Sequence, residues 1–209
     1  MRTVILASGS PRRKDILEQA GISFTVFASD KEEIITKEAP QEAVEELSRM
    51  KALDIKEQLT SQKDYLIIGA DTIVAFRGMK FGKPKDDADA KRMLKLLQGN
   101  THQVYTGVTL VYDESGSAEE GAFTDGLRKR EPVHVHMFHA VTDVVMVPMT
   151  DAEIEAYVRN GEPMDKAGAY AIQGRCAAYI KEIHGEYNNV VGFPIARTIK
   201  EIKELGITL

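Results

Sequence analysis

Three consecutive cations stand at a predicted helix start, where acidic residues are normally favoured. A short apolar run that predicts a strand is followed by Ser10 and Pro11, which suit an N-cap and a first helical position. Arg12, Arg13 and Lys14 come next, although free N–H groups and the macrodipole make a helix start positive. A bound phosphate would explain the cations, because helix starts bind anions and guanidinium groups pair with phosphate oxygens. The alternative is three solvated surface cations.

If a phosphate binds there, the substitution Arg13→Ala has two expected effects of opposite sign. It is expected to weaken phosphate binding. It is also expected to stabilise the ligand-free protein slightly, because one cation is removed from the positive helix start.

A second feature is a lone carboxylate, Asp71, inside the apolar run "LIIGADTIV". Burial of a carboxylate is costly unless a cation or hydrogen-bond donor meets it, so Asp71 is a metal ligand, a base or a structural cap. Lys51 lies within an apolar helical stripe by the 3.6-residue period and therefore faces the protein, or else extends its amine to solvent. Lys83 follows a predicted hairpin and is either a turn lysine or part of the same site.

Four cations at unusual positions accompany this one carboxylate. Their combination suits a triphosphate, a divalent metal and a water molecule that is to be activated. The pair Glu32 and Glu33 supplies a further oxygen ligand for Mg²⁺. Taken singly, each residue favours a structural interpretation.

Apolar blocks alternate with helical patterns along the chain, which predicts an α/β or α+β fold that positions these residues. The predicted strands cover residues 65–76, 103–112 and 141–149, with a hairpin return after the first of them. The predicted helices run from Pro11 to about Ala20, from 41 to 59 after Pro40, from Asp86 to near Gly99, from a Thr150/Glu153 capping box to Gly161, and from Pro194 to Gly206.

The composition is that of an ordinary globular chain. It has 209 residues, 43% of them hydrophobic and 28% charged, with a net charge of -5. An acidic chain lacks the basic surface that nucleic-acid polymers require. No apolar run approaches the roughly 20 residues that cross a bilayer, and the single Cys176 fits a reducing compartment. We therefore expect a cytoplasmic protein that binds neither nucleic acid nor membrane.

Residues 113–140 interrupt the alternation, being polar, then basic, then rich in histidine. The sequence predicts a surface excursion between two strands. His134, His136 and His139 raise the alternative of a zinc site. Only the first two share a strand face and no cysteine or carboxylate completes a tetrahedral set, so solvated strand residues are favoured.

Five motifs occur in order over nearly the whole chain: "LASGSPRR", "GADTIV", "GKPKD", "GEPMDKAGAYAIQG" and "VVGFP". Together they resemble the Maf family of nucleotide pyrophosphatases. The resemblance implies one domain over residues 1–209 with a Maf/ITPase-like α/β fold, in which an elongated, mixed and twisted sheet with flanking helices forms two lobes around a central cleft. It also implies hydrolysis of nucleoside triphosphates to the monophosphate and pyrophosphate, often by a homodimer. Residues 113–140 are longer than the corresponding connection expected in the family.

The resemblance also implies a role for each matching residue. Asp71 in "GADT" matches the catalytic proton acceptor, and Glu33 and Asp71 match carboxylates that hold a divalent metal, Mg²⁺ or alternatively Mn²⁺ or Co²⁺. The phosphate-binding positions are matched by Ser8, Arg12, Arg13, Lys51 and Lys83.

Substrate choice is implied by three further matches. Arg12, Thr72 and Gln173 match the subgroup that acts on dTTP and UTP, whereas the subgroup preferring 7-methyl-GTP typically has tryptophan at the position of Arg12. The Gln173 amide complements the O4 and N3–H edge of uracil and thymine, and Thr72 is expected to hold Arg12 or the sugar. Two alternatives remain, namely a pyrophosphatase for non-canonical purine nucleotides or 7-methyl-GTP, and a non-catalytic nucleotide-binding regulator of cell division.

Overall fold

The computed structural model describes residues 2–59, 64–113 and 133–209. Within these ranges the chain forms seven strands and six α-helices. The strands are β1 (Thr3–Leu6), β2 (Thr25–Val26), β3 (Tyr65–Phe76), β4 (Met79–Phe81), β5 (Thr101–Asp113), β6 (Val133–Met146) and β7 (Ile180–His184). The helices are α1 (Pro11–Gln19), α2 (Pro40–Gln58), α3 (Asp87–Leu97), α4 (Asp151–Arg159), α5 (Tyr187–Val191) and α6 (Ile195–Glu204), and three 3₁₀ turns lie at Glu162–Asp165, Ala167–Ala169 and Arg175–Tyr179.

The seven strands form one mixed sheet in the order β2-β1-β3-β5-β6-β7, with β4 paired to β3. Strand β1 is parallel to β2 and β3, whereas the pairs β3/β5, β5/β6 and β6/β7 are antiparallel. Helices flank this sheet, so the predicted α/β class is confirmed.

Strand β3 passes through two apolar cores. Its N-terminal half contributes Leu66, Ile68 and Ala70 to a core completed by α1 and α6. Its C-terminal half contributes Val74 and Phe76 to a core completed by α3 and α4. These five residues alternate along the strand and therefore lie on one face of the sheet. Residues 71–73 lie on β3 between the two cores.

Helix α2 packs unusually closely against the opposite face of the sheet. A Cβ at Gly69 of β3 would lie 2.8 Å from the Cβ of Ala52 and would overlap the backbone of Ser48. A Cβ at Gly107 of β5 would likewise overlap the backbone of Val44. The two glycines therefore let α2 approach the sheet.

The local helix signals were predicted correctly. Pro11 begins α1, Asp86 caps α3 by accepting from the Asp89 N–H, and Thr150 and Glu153 form the predicted capping box of α4. Ser10 occupies the N-cap position of α1, but its side chain makes no capping hydrogen bond.

The predicted excursion at 113–140 is narrower than expected, because Asp113 ends β5 and Val133 already begins β6. Residues 114–132 lie outside the described residues. The three histidines point to separate partners, since His134 stacks on Tyr112, His136 pairs with Glu201 and His139 pairs with Glu45. The described ranges contain no cluster of three or more residues able to hold a metal.

None of the helices in these ranges combines the length and apolar composition that crossing a membrane requires.

Candidate active site

A cleft of about 510 Å³ opens where the two apolar cores meet. It is bordered by the loop between β1 and α1, by the centre of β3 and by the turns that follow α4. The side chains of all nine predicted site residues line it: Ser8, Arg12, Arg13, Glu33, Lys51, Asp71, Thr72, Lys83 and Gln173. Residues from six separate parts of the sequence therefore meet in one place.

At the base of the cleft, Lys51 bridges two carboxylates. Its Nζ lies 2.6 Å from Asp71 Oδ1 and 2.6 Å from Glu33 Oε1. The prediction that Lys51 faces the protein is thus confirmed, and its amine stays in the cleft rather than in open solvent. The close packing of α2 on Gly69 fixes this arrangement, because Ala52 directly follows Lys51.

The two carboxylates differ in their electrostatic surroundings. Burial raises the pKa of Asp71, and the charges of Lys51 and Arg13 offset that effect only in part. Partial burial alone would also raise the pKa of Glu33, but the hydrogen bond and charge of Lys51, together with the charge of Lys83, lower it. Burial therefore makes Asp71 a better proton acceptor than an exposed aspartate, whereas Lys51 and Lys83 favour the ionised form of Glu33.

Arg13 is buried rather than solvated. Its guanidinium donates through Nε to the Gly192 carbonyl at 2.9 Å, through one NH₂ group to Ser8 Oγ at 2.9 Å and through the other to Thr72 Oγ1 at 3.2 Å. Burial lowers its pKa, while the charge of Asp71 acts in the opposite direction. These contacts lead us to expect the opposite of the helix-dipole prediction, because Arg13→Ala would remove three hydrogen bonds from the ligand-free protein.

Arg12 lies at the rim of the cleft, and Asp165 holds it there. Its guanidinium donates to Asp165 Oδ2 at 2.9 Å and to the Asp165 carbonyl at 3.3 Å. Lys166 Nζ donates to the other oxygen of the same carboxylate at 2.5 Å. Partial burial would raise the pKa of Asp165, but the bonds from Lys166 and Arg12 lower it to about 2. The expected contact of Thr72 with Arg12 is replaced by contacts with Arg13, Thr106 and Gly192.

Gln173 lies in the short connection between the 3₁₀ turns Ala167–Ala169 and Arg175–Tyr179. Its side chain is exposed, lines the cleft and makes no hydrogen bond with the described residues. Both polar atoms of its amide are therefore free to meet a ligand.

Sequence reasoning missed three residues of the cleft, namely Asp165, Lys166 and Tyr170. They lie in or beside short 3₁₀ turns between Gly161 and Tyr179, where no helical or strand period marks the inward face. The sequence signal that could have identified them is the motif "GEPMDKAGAY", in which Asp165 and Lys166 are adjacent residues of opposite charge. Their positions in the cleft depend on tertiary contacts, such as that of Asp165 with Arg12.

The donor chemistry at the base of the cleft fits a hard divalent cation. Glu33 and Asp71 present carboxylate oxygens that converge on one point, now taken by the Lys51 amine. Mg²⁺ is commonly held by one or two carboxylates together with substrate phosphates, so a larger protein cage is not required. The described residues contain no such cage.

Comparisons with known proteins identify the family of this chain. The family model described as Maf-like protein matches residues 3–205. A dTTP/UTP pyrophosphatase of Agathobacter rectalis is 48% identical and aligned over 99% of both chains. Another from Lachnoclostridium phytofermentans is 47% identical, over 100% of this chain and 98% of the relative. A HAM1 protein from Coxiella burnetii has a similar fold, with a TM-score of 0.50 at 15% identity over 98% of this chain and 100% of that one.

Proposed function

The chain belongs to the Maf family, and from this premise we propose that it is a nucleoside triphosphate pyrophosphatase acting on dTTP and UTP. It releases the monophosphate and pyrophosphate, which suits a role in clearing nucleotides from the cellular pool. One observation carries the proposal. A buried carboxylate of raised pKa, Asp71, lies in the same cleft as the cations of residues 12, 13, 51 and 83.

The proposed reaction is a substitution by water at the α-phosphorus. Asp71 positions the water and accepts its proton while the water oxygen bonds to phosphorus. The bond between the α-phosphorus and the bridging oxygen breaks, and the electron pair leaves with pyrophosphate. Because burial raises the pKa of Asp71, its carboxylate is a better proton acceptor than an exposed one.

Cationic side chains neutralise the charge that develops on the leaving pyrophosphate. Arg12, Lys51 and Lys83 all reach the cleft. Arg13 contributes differently, because three of its five N–H donors already hold Ser8, Thr72 and Gly192. Its two remaining donors are thereby preoriented, and they are available to a phosphate oxygen.

We propose that Glu33 and Asp71 hold a divalent cation, Mg²⁺ or alternatively Mn²⁺ or Co²⁺, together with the substrate phosphates. When bound, the ion supplies positive charge at the phosphates and lowers the pKa of a coordinated water. Lys51 contacts both carboxylates and keeps them near each other.

Base selection is assigned to Gln173, with Arg12 and Thr72 as the neighbouring specificity positions. The free amide of Gln173 offers one donor and one acceptor group to the shared edge of uracil and thymine. Cytosine presents an amine and an unprotonated nitrogen at that edge, so it leaves the amide mismatched. Thr72 acts through Arg13, whose guanidinium it accepts from.

The remaining expectations belong to the same proposal. We propose that residues 1–209 act as one domain, because strand β3 contributes to both apolar cores.

A homodimer is implied by the family resemblance, and light scattering of the purified protein tests it. The buried free thiol of Cys176 is consistent with the proposed cytoplasmic location.

The test is pyrophosphate release over a panel of nucleoside triphosphates with Mg²⁺ or Mn²⁺. A buried hydrogen-bond mismatch costs about 1 to 3 kcal/mol, so UTP and dTTP are expected to react roughly tenfold to a hundredfold faster than CTP. Equal rates for UTP and CTP would contradict the role of Gln173. Preference for 7-methyl-GTP or a deaminated purine would place the enzyme in another subgroup, and nucleotide binding without turnover would indicate a non-catalytic regulator.

A further inference from the structure

A pair of side chains outside the cleft holds the turn that carries Gln173. Tyr157 belongs to the last turns of α4, and Glu162 begins the 3₁₀ turn after it. Neither residue is among those that line the cleft. The Tyr157 hydroxyl donates to Glu162 Oε1 at 2.7 Å, so the two side chains form one unit.

This unit contacts the turn on both sides of Gln173. The Tyr157 hydroxyl accepts from the Ala171 N–H at 3.2 Å, two residues before the glutamine. The other oxygen of Glu162 accepts from the Arg175 N–H at 3.1 Å, two residues after it. Within the turn, the Gly174 N–H donates to the Ala171 carbonyl at 3.2 Å. The backbone of residues 171–175 is thus tied at each end.

The direction of each hydrogen bond is determined by chemistry. Burial, followed by the bond to Glu162, raises the pKa of Tyr157, so its hydroxyl keeps the proton that it donates to the carboxylate. Its lone pairs then accept from the Ala171 N–H. A phenylalanine at this position would remove both bonds and leave the ring in place.

Gly174 makes room for the carboxylate. A Cβ built on Gly174 would overlap both oxygens and the carboxyl carbon of Glu162. The backbone φ of Gly174 is −105°, which any residue adopts, so close approach rather than backbone conformation is what requires glycine there.

The Gln173 side chain depends on this backbone for its position. It is exposed and makes no hydrogen bond with the described residues, so no neighbouring side chain orients the amide. A recognition group fixes a donor and an acceptor in space only if its backbone is fixed. The two ties at Ala171 and Arg175 provide that support.

We propose that Tyr157 and Glu162 are positioning residues for base selection, which hold the 171–175 turn so that the Gln173 amide meets the edge of a uracil or thymine base. The proposal rests on the proposed function of the cleft. It adds that discrimination among pyrimidines depends on two side chains that do not contact the nucleotide.

The activity test compares kcat/KM for UTP and CTP in the full-length protein, Tyr157→Phe, Gln173→Ala and the double variant. Loss of a positioning hydrogen bond is expected to lower the UTP-over-CTP ratio of Tyr157→Phe by about threefold to tenfold. In the Gln173→Ala background the same change is expected to alter the ratio by less than about twofold, because residues that act through one another are not additive. Tyr105→Phe is the matched control, since its hydroxyl donates to Gln103 on the sheet, away from the turn.

A second measurement does not depend on turnover. Amide hydrogen exchange from residues 171–175 is expected to be faster in Tyr157→Phe than in the parent chain or in Tyr105→Phe. Glu162→Gln serves as the milder variant if Tyr157→Phe unfolds, because glutamine keeps one acceptor oxygen. Either variant must retain a cooperative thermal transition.

Two results overturn the positioning role: an unchanged UTP-over-CTP ratio in Tyr157→Phe, or an equal loss of selectivity with and without Gln173. Unchanged exchange from 171–175 overturns the anchoring itself. Failure of the proposed function is recognised separately, because the parent chain then releases no pyrophosphate from UTP or shows no preference over CTP.

Discussion

Asp71 is a buried carboxylate that faces the cleft and contacts the Lys51 amine at 2.6 Å. In Asp71→Asn the amide keeps the shape of the side chain but cannot accept a proton from water. We expect turnover to fall about a hundredfold or more, as is common for loss of a well-placed catalytic group. Folding and nucleotide binding are expected to persist, because Lys51 retains its contact with Glu33.

Pyrophosphate release and calorimetric nucleotide binding check the Asp71 prediction together. Asp143→Asn provides the control, since that carboxylate accepts from Gln103 on an exposed part of β6. Parental turnover in Asp71→Asn would remove it from the catalytic role. A loss of folding instead of turnover would show that Asp71 is structural.

Arg13 is expected to stabilise the ligand-free fold, although it stands at a positive helix start. Arg13→Ala removes three hydrogen bonds, those to the Gly192 carbonyl, Ser8 and Thr72. A hydrogen bond contributes about 0.5 to 1.5 kcal/mol net, so losing three of them is expected to lower the unfolding midpoint by roughly 5 to 15 °C. Thermal unfolding of Lys14→Ala is the matched control, and a midpoint above that of the parent chain for Arg13→Ala would restore the helix-dipole interpretation.

The contact between α2 and the sheet sets the position of Lys51. In Gly69→Ala the added Cβ overlaps the Ser48 backbone and lies 2.8 Å from the Ala52 Cβ, so α2 must move away. Overpacking of this kind costs about 1 to 3 kcal/mol. The displaced helix is also expected to lower turnover, because the Lys51 contact with Asp71 lengthens.

Denaturant unfolding and pyrophosphate release measure both consequences. Gly82→Ala is the control for stability, because a Cβ there meets no atom within 4 Å. If Gly69→Ala has the stability and turnover of the parent chain, close helix approach does not determine the geometry of the site.

Helices with local start signals were predictable from sequence, whereas contacts between distant segments were not. Asp86 and the Thr150/Glu153 pair mark the starts of α3 and α4 in the sequence, because capping involves residues within four positions of each other. The start of β6 was missed because the polar residues His134, His136 and His139 made the segment look like part of a surface excursion. The burial of Arg13 depends on Gly192, which lies 179 residues away, and no periodic pattern carries that information.

The acid stability of the whole protein is expected to depend on His102, which is 1% exposed in the core shared by α3 and α4. Burial lowers the pKa of His102 from 6.5 to about 4. Between these values the unfolded chain binds the proton and the folded protein does not, so stability is full above pH 6.5 and decreases as the pH falls toward 4. The shift corresponds to about 3 kcal/mol.

Denaturant unfolding as a function of pH checks the His102 prediction. In His102→Gln this part of the acid sensitivity is expected to disappear, because glutamine does not titrate while it keeps a polar group toward Tyr170. His184→Gln, the same substitution at an exposed position of β7, is the matched control. An identical acid profile for His102→Gln and the parent chain would rule out His102 as the origin.

Strand β3 contributes to two cores, and substitutions in each core are expected to affect a different property of the protein, either cleavage or nucleotide choice. Residues 8–13, proposed to bind phosphate, adjoin the core of α1 and α6. Tyr157, proposed to hold the turn that carries Gln173, belongs to the core of α3 and α4, although Ile172 of that turn packs on the first core. Under these proposals, substitutions in the core of α3 and α4 are expected to change which nucleotide is accepted more readily than they change the cleavage step. Among diverging descendants of such a chain, substrate range should vary readily, whereas the reaction itself should be inherited.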